Sequence, residues 1–222
     1  MNYYLIWLDK NRNYVLLLAL LIRLIIVINF SIEPIKGGDS FQYDQLALSV
    51  KNGDGFSFLG EASALRAPVY PLFLALIYKI FGHNYLVVKI LQSFIELLTI
   101  IIVYKMIFEH FGKRRAIISL LLFCFHPGII IYNSRILTET LFTLFLSLAF
   151  YFLMKAHKSL SLKYSFFSGF IFGICVLTKP TPIGLIGFLF LSIIFMNEKI
   201  KKTKIFIIFS LISILTIMPW SM

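Results

Sequence analysis

The sequence predicts an all-α, polytopic transmembrane helix bundle, and three observations carry that prediction. Hydrophobic residues make up 59% of the 222 and charged residues only 14%, against about 45–50% and about 25% in soluble domains. Mean hydropathy is +0.90. The apolar residues fall into recurrent runs separated by short polar or basic segments, and a helix needs roughly 20 such residues to cross a bilayer. An ordinary soluble enzyme, a disordered chain and a disulfide scaffold are thereby excluded. Function must reside in the loops and the bundle interior.

The first span is expected from Tyr14 to Ile32. It is longer than a signal-peptide core and has no small-residue cleavage site, so it reads as a span. The segment from Glu33 to Arg66 is the only long polar loop, and the region 33–82 is predicted to carry two juxtamembrane helices. Gly37 and Gly38 break the chain, Asp39 and Ser40 are helix N-cap types, and a short helix then starts at Asp39. Tyr43, Leu46, Ala47 and Val50 share one of its faces, and Asn52 to Gly55 forms a turn. Pro68 to Phe81 opens with a first-turn proline and stops at Gly82. Its shortness suits an interfacial or re-entrant helix.

Further spans are expected at Tyr85–Phe108, Ala116–Phe125, Ile129–Met154, Tyr164–Leu177, Ile183–Met196 and Ile205–Met218, which makes about seven in all. The whole chain, 1–222, reads as one transmembrane module. Net charge is +11, and the basic residues cluster at Lys10 and Arg12, at Lys105 to Arg115, at Lys155 to Lys163 and at Lys199 to Lys204. With seven spans all these clusters fall on one side, which the positive-inside rule makes cytoplasmic. The N-terminus is then cytoplasmic, the long loop external, and the lysines are lipid-headgroup anchors rather than a nucleic-acid surface. Abundant Ile, Lys and Phe with little Ala points to an AT-rich bacterial genome, hence to a bacterial inner membrane. Cys124 and Cys175 lie in apolar runs and read as small core residues.

Asp39 followed by Tyr43 and Ala47, a Gly-Asp-Gly-Phe turn (Gly53 to Phe56), Arg66-Ala67-Pro68-Val69-Tyr70-Pro71 and Leu137-Thr138-Glu139-Thr140-Leu141-Phe142 together resemble membrane glycosyltransferases of the GT-C class. The nearest resemblance is to the bacterial branch labelled dolichyl-phosphate-mannose protein mannosyltransferase-like, which includes the lipid A aminoarabinose transferases. The resemblance runs from about Arg23 to Trp220. It implies transfer of a sugar from a polyprenyl-phosphate carrier to a glycan, lipid or protein acceptor on the non-cytoplasmic side. No cofactor is required by the pattern, no metal ligands are assigned, and a divalent cation is compatible with it.

On that resemblance Asp39 matches the catalytic aspartate of the first external loop. A hydroxyl attacking an anomeric carbon benefits from a general base, and the departing phosphate from nearby cations. The bland role of Asp39 is a helix cap, and the two roles are compatible. Tyr43, one turn on, is either a substrate-orienting group or an interfacial anchor, and Asp44 reads as solvated. Arg66 is the candidate phosphate ligand, because its fork binds phosphate bidentately beside a helix N-terminus; otherwise it is a snorkelling anchor.

Glu139 maps onto a second acidic residue of the cavity, whereas the spacing also lets it pair with Arg135 along a helix. Lys179, in the rigid Thr178 to Pro182 turn, is a further phosphate candidate or an interfacial residue. His126 reads as a cap before Pro127. Arg23, Lys89, Gln92 and Glu96 are expected to form an internal polar network, with Arg23 paired to Glu96, because polar stripes on spans face the bundle.

The competing class is a non-enzymatic membrane protein, either a carrier-lipid transporter or an assembly subunit. A transporter is expected to show internal repeats, and none is visible. Proteins of the resembling class continue through further spans, so the chain is expected to be the N-terminal part of a longer enzyme, with a C-terminal half completing the carrier groove. Alone it is expected to be inactive.

Overall fold

The computed structural model describes residues 7, 10–29, 38–184 and 200–221. In chain order the elements are α1 (Arg12–Asn29), α2 (Asp39–Asn52), β1 (Ser57–Phe58), β2 (Glu61–Ala62), α3 (Val69–Phe81), α4 (Tyr85–Phe111), α5 (Lys113–Phe125), α6 (Pro127–Asn133), α7 (Glu139–Ser159), α8 (Leu162–Val176), a 3-10 turn (Thr181–Ile183) and α9 (Ile200–Ser221). The all-α bundle expected from composition is what these elements form. They divide into two units, 1–66 with 70–144 and 67–69 with 145–222.

The span count is lower than the sequence suggested. Among the described residues four helices are long and apolar enough to cross a membrane: α1, α4, α7 and the 203–220 part of α9. A fifth is reached if α5 and α6, bent by 49° at their junction, count as one broken span. One physical cause lowers the count, and a second redraws the bounds of a span that is kept. Helix α8 has 15 residues, about 22 Å at 1.5 Å per residue, which is short of a hydrocarbon core of about 30 Å. The expected span Ile129–Met154 is not continuous, because α6 stops at Asn133 and α7 starts at Glu139. Most of the expected Ile183–Met196 span lies outside the described residues.

In the first unit, α1 packs against α4 and α5 around Ala19, Ile100, Tyr104, Ala116, Ile117, Leu120 and Cys124. The far side of α1 leaves Leu17, Leu18, Leu21, Ile25 and Ile28 exposed, as a lipid-facing stripe does. The expected Arg23–Glu96 pair is formed. Arg23 Nε donates to Glu96 Oε2 at 2.7 Å, with the two side chains 0% and 7% exposed. The same guanidinium donates to the carbonyls of Phe123 (3.1 Å) and Cys124 (2.9 Å). Those carbonyls need a partner because Pro127 has no N–H to return to Phe123, four residues back. His126 caps the next helix, its Nδ1 accepting from Ile129 N at 3.3 Å.

Outside the spans, α2 ends at Gly53 in the left-handed region, φ 91°. A short hairpin follows that sequence reading missed, its strands paired Ser57 with Ala62 and Phe58 with Glu61. Its two-residue loop, Leu59 and Gly60, has φ of 53° and 89°, the signs of a type I′ turn. A leucine at the first loop position hides it, since that turn is ordinarily signalled by Asn-Gly or Asp-Gly. The hairpin leans on α2 through an edge-on Phe41–Phe58 contact and a Ser49–Ser57 hydroxyl contact of 2.6 Å.

In the second unit, α8 and α9 approach closely through small residues. A Cβ on Gly169 would lie 2.5 Å from the Phe209 carbonyl oxygen, and one on Gly173 would lie 2.5 Å from Thr216 Cβ. Ser165, Gly169 and Gly173 recur every four residues, the small-residue pattern by which membrane helices bring their backbones together. Ser213 Oγ donates across the interface to the Gly169 carbonyl at 3.1 Å.

Candidate functional site

Helix α2 has little apolar character and lies outside the candidate spans. Its N-cap is Gly38, with no side-chain cap bond, so the capping role considered for Asp39 is not the one it plays. Asp39 is instead the first helical residue, its side chain 59% exposed, where a carboxylate also complements the helix dipole. Its partner is Arg66, whose Nη2 donates to Asp39 Oδ1. Arg66 Nε donates to Gln42 Oε1 at 2.8 Å, and its guanidinium carbon stands 5.2 Å from the centroid of the Tyr43 ring. Residues 39, 42 and 43 share one face of α2, since i, i+3 and i+4 are neighbours on a helix. Arg66 lies across all of them.

Tyr43 is buried, 7% exposed, and its phenol is held above the ordinary tyrosine range. Burial is the main cause, with the Arg66 charge opposing it and the Asp39 and Glu139 charges adding to it. The phenol is therefore neutral at physiological pH and able to donate. The Thr138 side chain is close enough to act on it as well, so the segment before α7 meets α2 here.

That segment is fixed from behind. Tyr70 packs edge-on against Tyr43, ring centroids 5.2 Å apart, and donates its hydroxyl to Gln92 Oε1 at 2.7 Å. Gln92 Nε2 in turn donates to the carbonyls of Arg135 (2.9 Å) and Asn133 (3.3 Å). Asn133 Nδ2 reaches Ser93 Oγ at 2.7 Å. A buried amide on a span thus holds the broken backbone between α6 and α7, which carries Thr138 and Glu139 to the loop side. Gln92 belongs to the polar stripe expected on this span, and the structure supplies its task.

Of the residues singled out in sequence, Asp39, Tyr43 and Arg66 are brought together, and Glu139 is close enough to act on Tyr43 and Tyr70. Glu139 is the half-buried first residue of α7. Arg135 is exposed and sits in the non-helical break, so the helical spacing that would have paired it with Glu139 is not formed. Lys179, half-buried, follows α8 in the second unit, its N–H bonded to the Cys175 carbonyl at 3.0 Å. Gln42 and Thr138 were missed. The first had a signal in its i+3 spacing from Asp39, and the second stood beside Glu139 in the Leu137 to Phe142 motif without a role assigned to it.

The reading of Asp44 as solvated is overturned. It is 2% exposed and accepts from Tyr78 Oη at 2.7 Å and Tyr85 Oη at 3.0 Å, with His83 Nε2 at 2.8 Å. This carboxylate ties α2 to the end of α3 and the start of α4. Helix periodicity placed Asp44 beside the apolar face, but only the fold shows which aromatics converge on it. Among the described residues no three His, Cys, Asp or Glu side chains gather as metal ligands.

Comparison with curated proteins and with solved structures finds no match. The family model described as dolichyl-phosphate-mannose-protein mannosyltransferase matches residues 65–222, well over half of the chain. The matched range contains Arg66, Arg135, Glu139 and Lys179, and it begins after Asp39 and Tyr43. The chain belongs to the dolichyl-phosphate-mannose-protein mannosyltransferase family and is a multi-pass membrane glycosyltransferase of the GT-C type.

Proposed function

We propose that this chain transfers a sugar from a polyprenyl-phosphate carrier to an acceptor at the external face of a bacterial inner membrane, its N-terminus lying in the cytoplasm. The observation that carries the reading is the Asp39–Arg66 pair, exposed on the Asp39 side and seated over a neutral tyrosine. The basic clusters at the ends of the spans support the orientation.

In this reading the donor phosphate competes with Asp39 for the Arg66 fork. Phosphate binding then releases the carboxylate when it is needed. Asp39 accepts the proton of the acceptor hydroxyl as that oxygen bonds to the anomeric carbon, on the face opposite the phosphate. The bond from the anomeric carbon to the phosphate oxygen breaks, its electron pair leaves with the carrier phosphate, and Arg66 stabilises that charge. The product anomer is inverted. Tyr43 donates to the sugar or the phosphate, and Glu139 orients the acceptor or a divalent cation. Arg135 adds positive charge for the carrier.

The test is a pair of variants in membranes that carry transfer activity. Asp39→Asn is expected to abolish transfer while labelled carrier lipid still binds. Arg66→Ala is expected to weaken carrier binding, with Arg66→Lys restoring it only in part because the bidentate fork is lost. Near-normal turnover by Asp39→Asn removes Asp39 as the base, and unchanged carrier binding by Arg66→Ala makes Arg66 a mere anchor.

A further inference from the structure

At the opposite end of the first unit's helices, where α4 turns into α5, lies a cleft of about 550 Å³. Arg12, Lys105 and Lys113 stand on its wall with one acid, Glu109, so positive charge predominates. The Arg12 guanidinium carbon stands over the Tyr104 ring, 4.9 Å from its centroid. A cation–π contact of this kind holds a guanidinium in place while its N–H donors can still meet a phosphate oxygen.

The charges occupy one end of the cleft. On each of the three helices the lining passes from charged to apolar going into the bundle: Arg12 to Leu16 on α1, Lys105 to Ile101 on α4 and Lys113 to Leu120 on α5. At 1.5 Å per residue these steps descend about 6 Å, about 6 Å and about 10 Å. Ile101 and Phe108 are 41% and 46% exposed, which leaves apolar surface open beside the charges. A small soluble anion has no use for that apolar wall. A molecule with an anionic head and an acyl chain matches both parts in their order along the bundle axis.

We propose that this cleft is a binding site for an anionic glycerophospholipid, its phosphate held by Arg12, Lys105 and Lys113 and its acyl chain laid along Leu16, Ile101 and Leu120. The inference is independent of the transfer chemistry, since none of these residues touches the Asp39 cluster. Its role is to hold α1, α4 and α5 together at the membrane surface opposite the candidate site.

Native mass spectrometry of the purified chain with phosphatidylglycerol, phosphatidylcholine and inorganic phosphate tests it. Phosphatidylglycerol is expected to be retained over phosphatidylcholine, and millimolar inorganic phosphate is expected not to displace it. Arg12→Gln combined with Lys105→Gln should weaken retention about tenfold or more. Arg114→Gln with Arg115→Gln, neighbouring cations that do not line the cleft, should leave it unchanged. Ile101→Trp keeps every charge but fills the apolar wall, and it should also release the lipid. Equal retention of phosphatidylcholine, or an equal loss in the Arg114/Arg115 variant, overturns the site in favour of diffuse surface charge. Displacement by inorganic phosphate alone reassigns it to a soluble anion.

Discussion

Among the described residues a guanidinium meets a carboxylate twice, and the two pairs behave differently. Arg23–Glu96 lies inside the bundle, its side chains 0% and 7% exposed, with the guanidinium also bound to backbone carbonyls of α5. Arg66–Asp39 lies outside the spans, with side chains 25% and 59% exposed. The buried pair cannot exchange partners, because either ion alone would be stranded in a medium that solvates charge poorly. The exposed pair can open toward water or an incoming anion at little cost. A carboxylate and a guanidinium in contact say nothing by themselves about role. Their access to solvent decides between a fastener and a site that can be competed open.

The sharpest way to break the comparison is to remove one carboxylate at a time. Asp39→Asn should cut transfer by about 10²–10⁴-fold, the usual contribution of general base catalysis, while moving the unfolding midpoint little. Glu96→Ala should do the reverse. It leaves Arg23 buried without its counter-ion and should cost about 3–5 kcal/mol of stability, read by chemical unfolding in detergent. Arg23→Met with Glu96→Leu should recover only part of that loss, because the Phe123 and Cys124 carbonyls lose their donor as well. Full recovery would mean that the carbonyl bonds contribute nothing.

Asp44 sharpens the comparison from a third side, being outside the spans yet buried. Asp44→Asn keeps the shape but cannot satisfy Tyr78, Tyr85 and His83 as a carboxylate does. A loss of about 1–3 kcal/mol is expected, without the direct loss of chemistry that marks Asp39. Salt should divide the two Arg pairs more gently. High ionic strength should loosen the exposed pair, worth about 0–1 kcal/mol, and leave the buried one unchanged; paired amide-exchange measurements on α1 and α2 would read this.

The smallest effect concerns Tyr43. Its phenol sits above the ordinary tyrosine value because of burial first, so the folded state holds the proton more tightly than the unfolded chain. Stability from this source is intact below pH 10 and declines as pH rises from there through the folded value. The alkaline absorbance titration of wild type minus Tyr43→Phe should accordingly show a phenol ionising later than an ordinary tyrosine. A difference spectrum centred at the ordinary value would show Tyr43 to be solvated.

Hydropathy and period were enough to read the helical bundle, the start of α2 at Asp39 and the pairing of Arg23 with Glu96. Each depends on local composition or on a rule that intramembrane charge must face inward and find its opposite. What the sequence left unread has a common cause in contacts between distant positions. The Asp44 carboxylate is buried by side chains 34, 39 and 41 residues away, and no local period announces them. The break between Asn133 and Glu139 is tolerated because Gln92, more than 40 residues earlier, accepts the task of binding its carbonyls. Asp39 and Arg66, 27 residues apart, were each legible as candidates from the sequence. That they meet over Tyr43 was decided by the turn at Gly53, the hairpin and the seating of α3, because side chains distant along the chain become neighbours only when the backbone between them has folded.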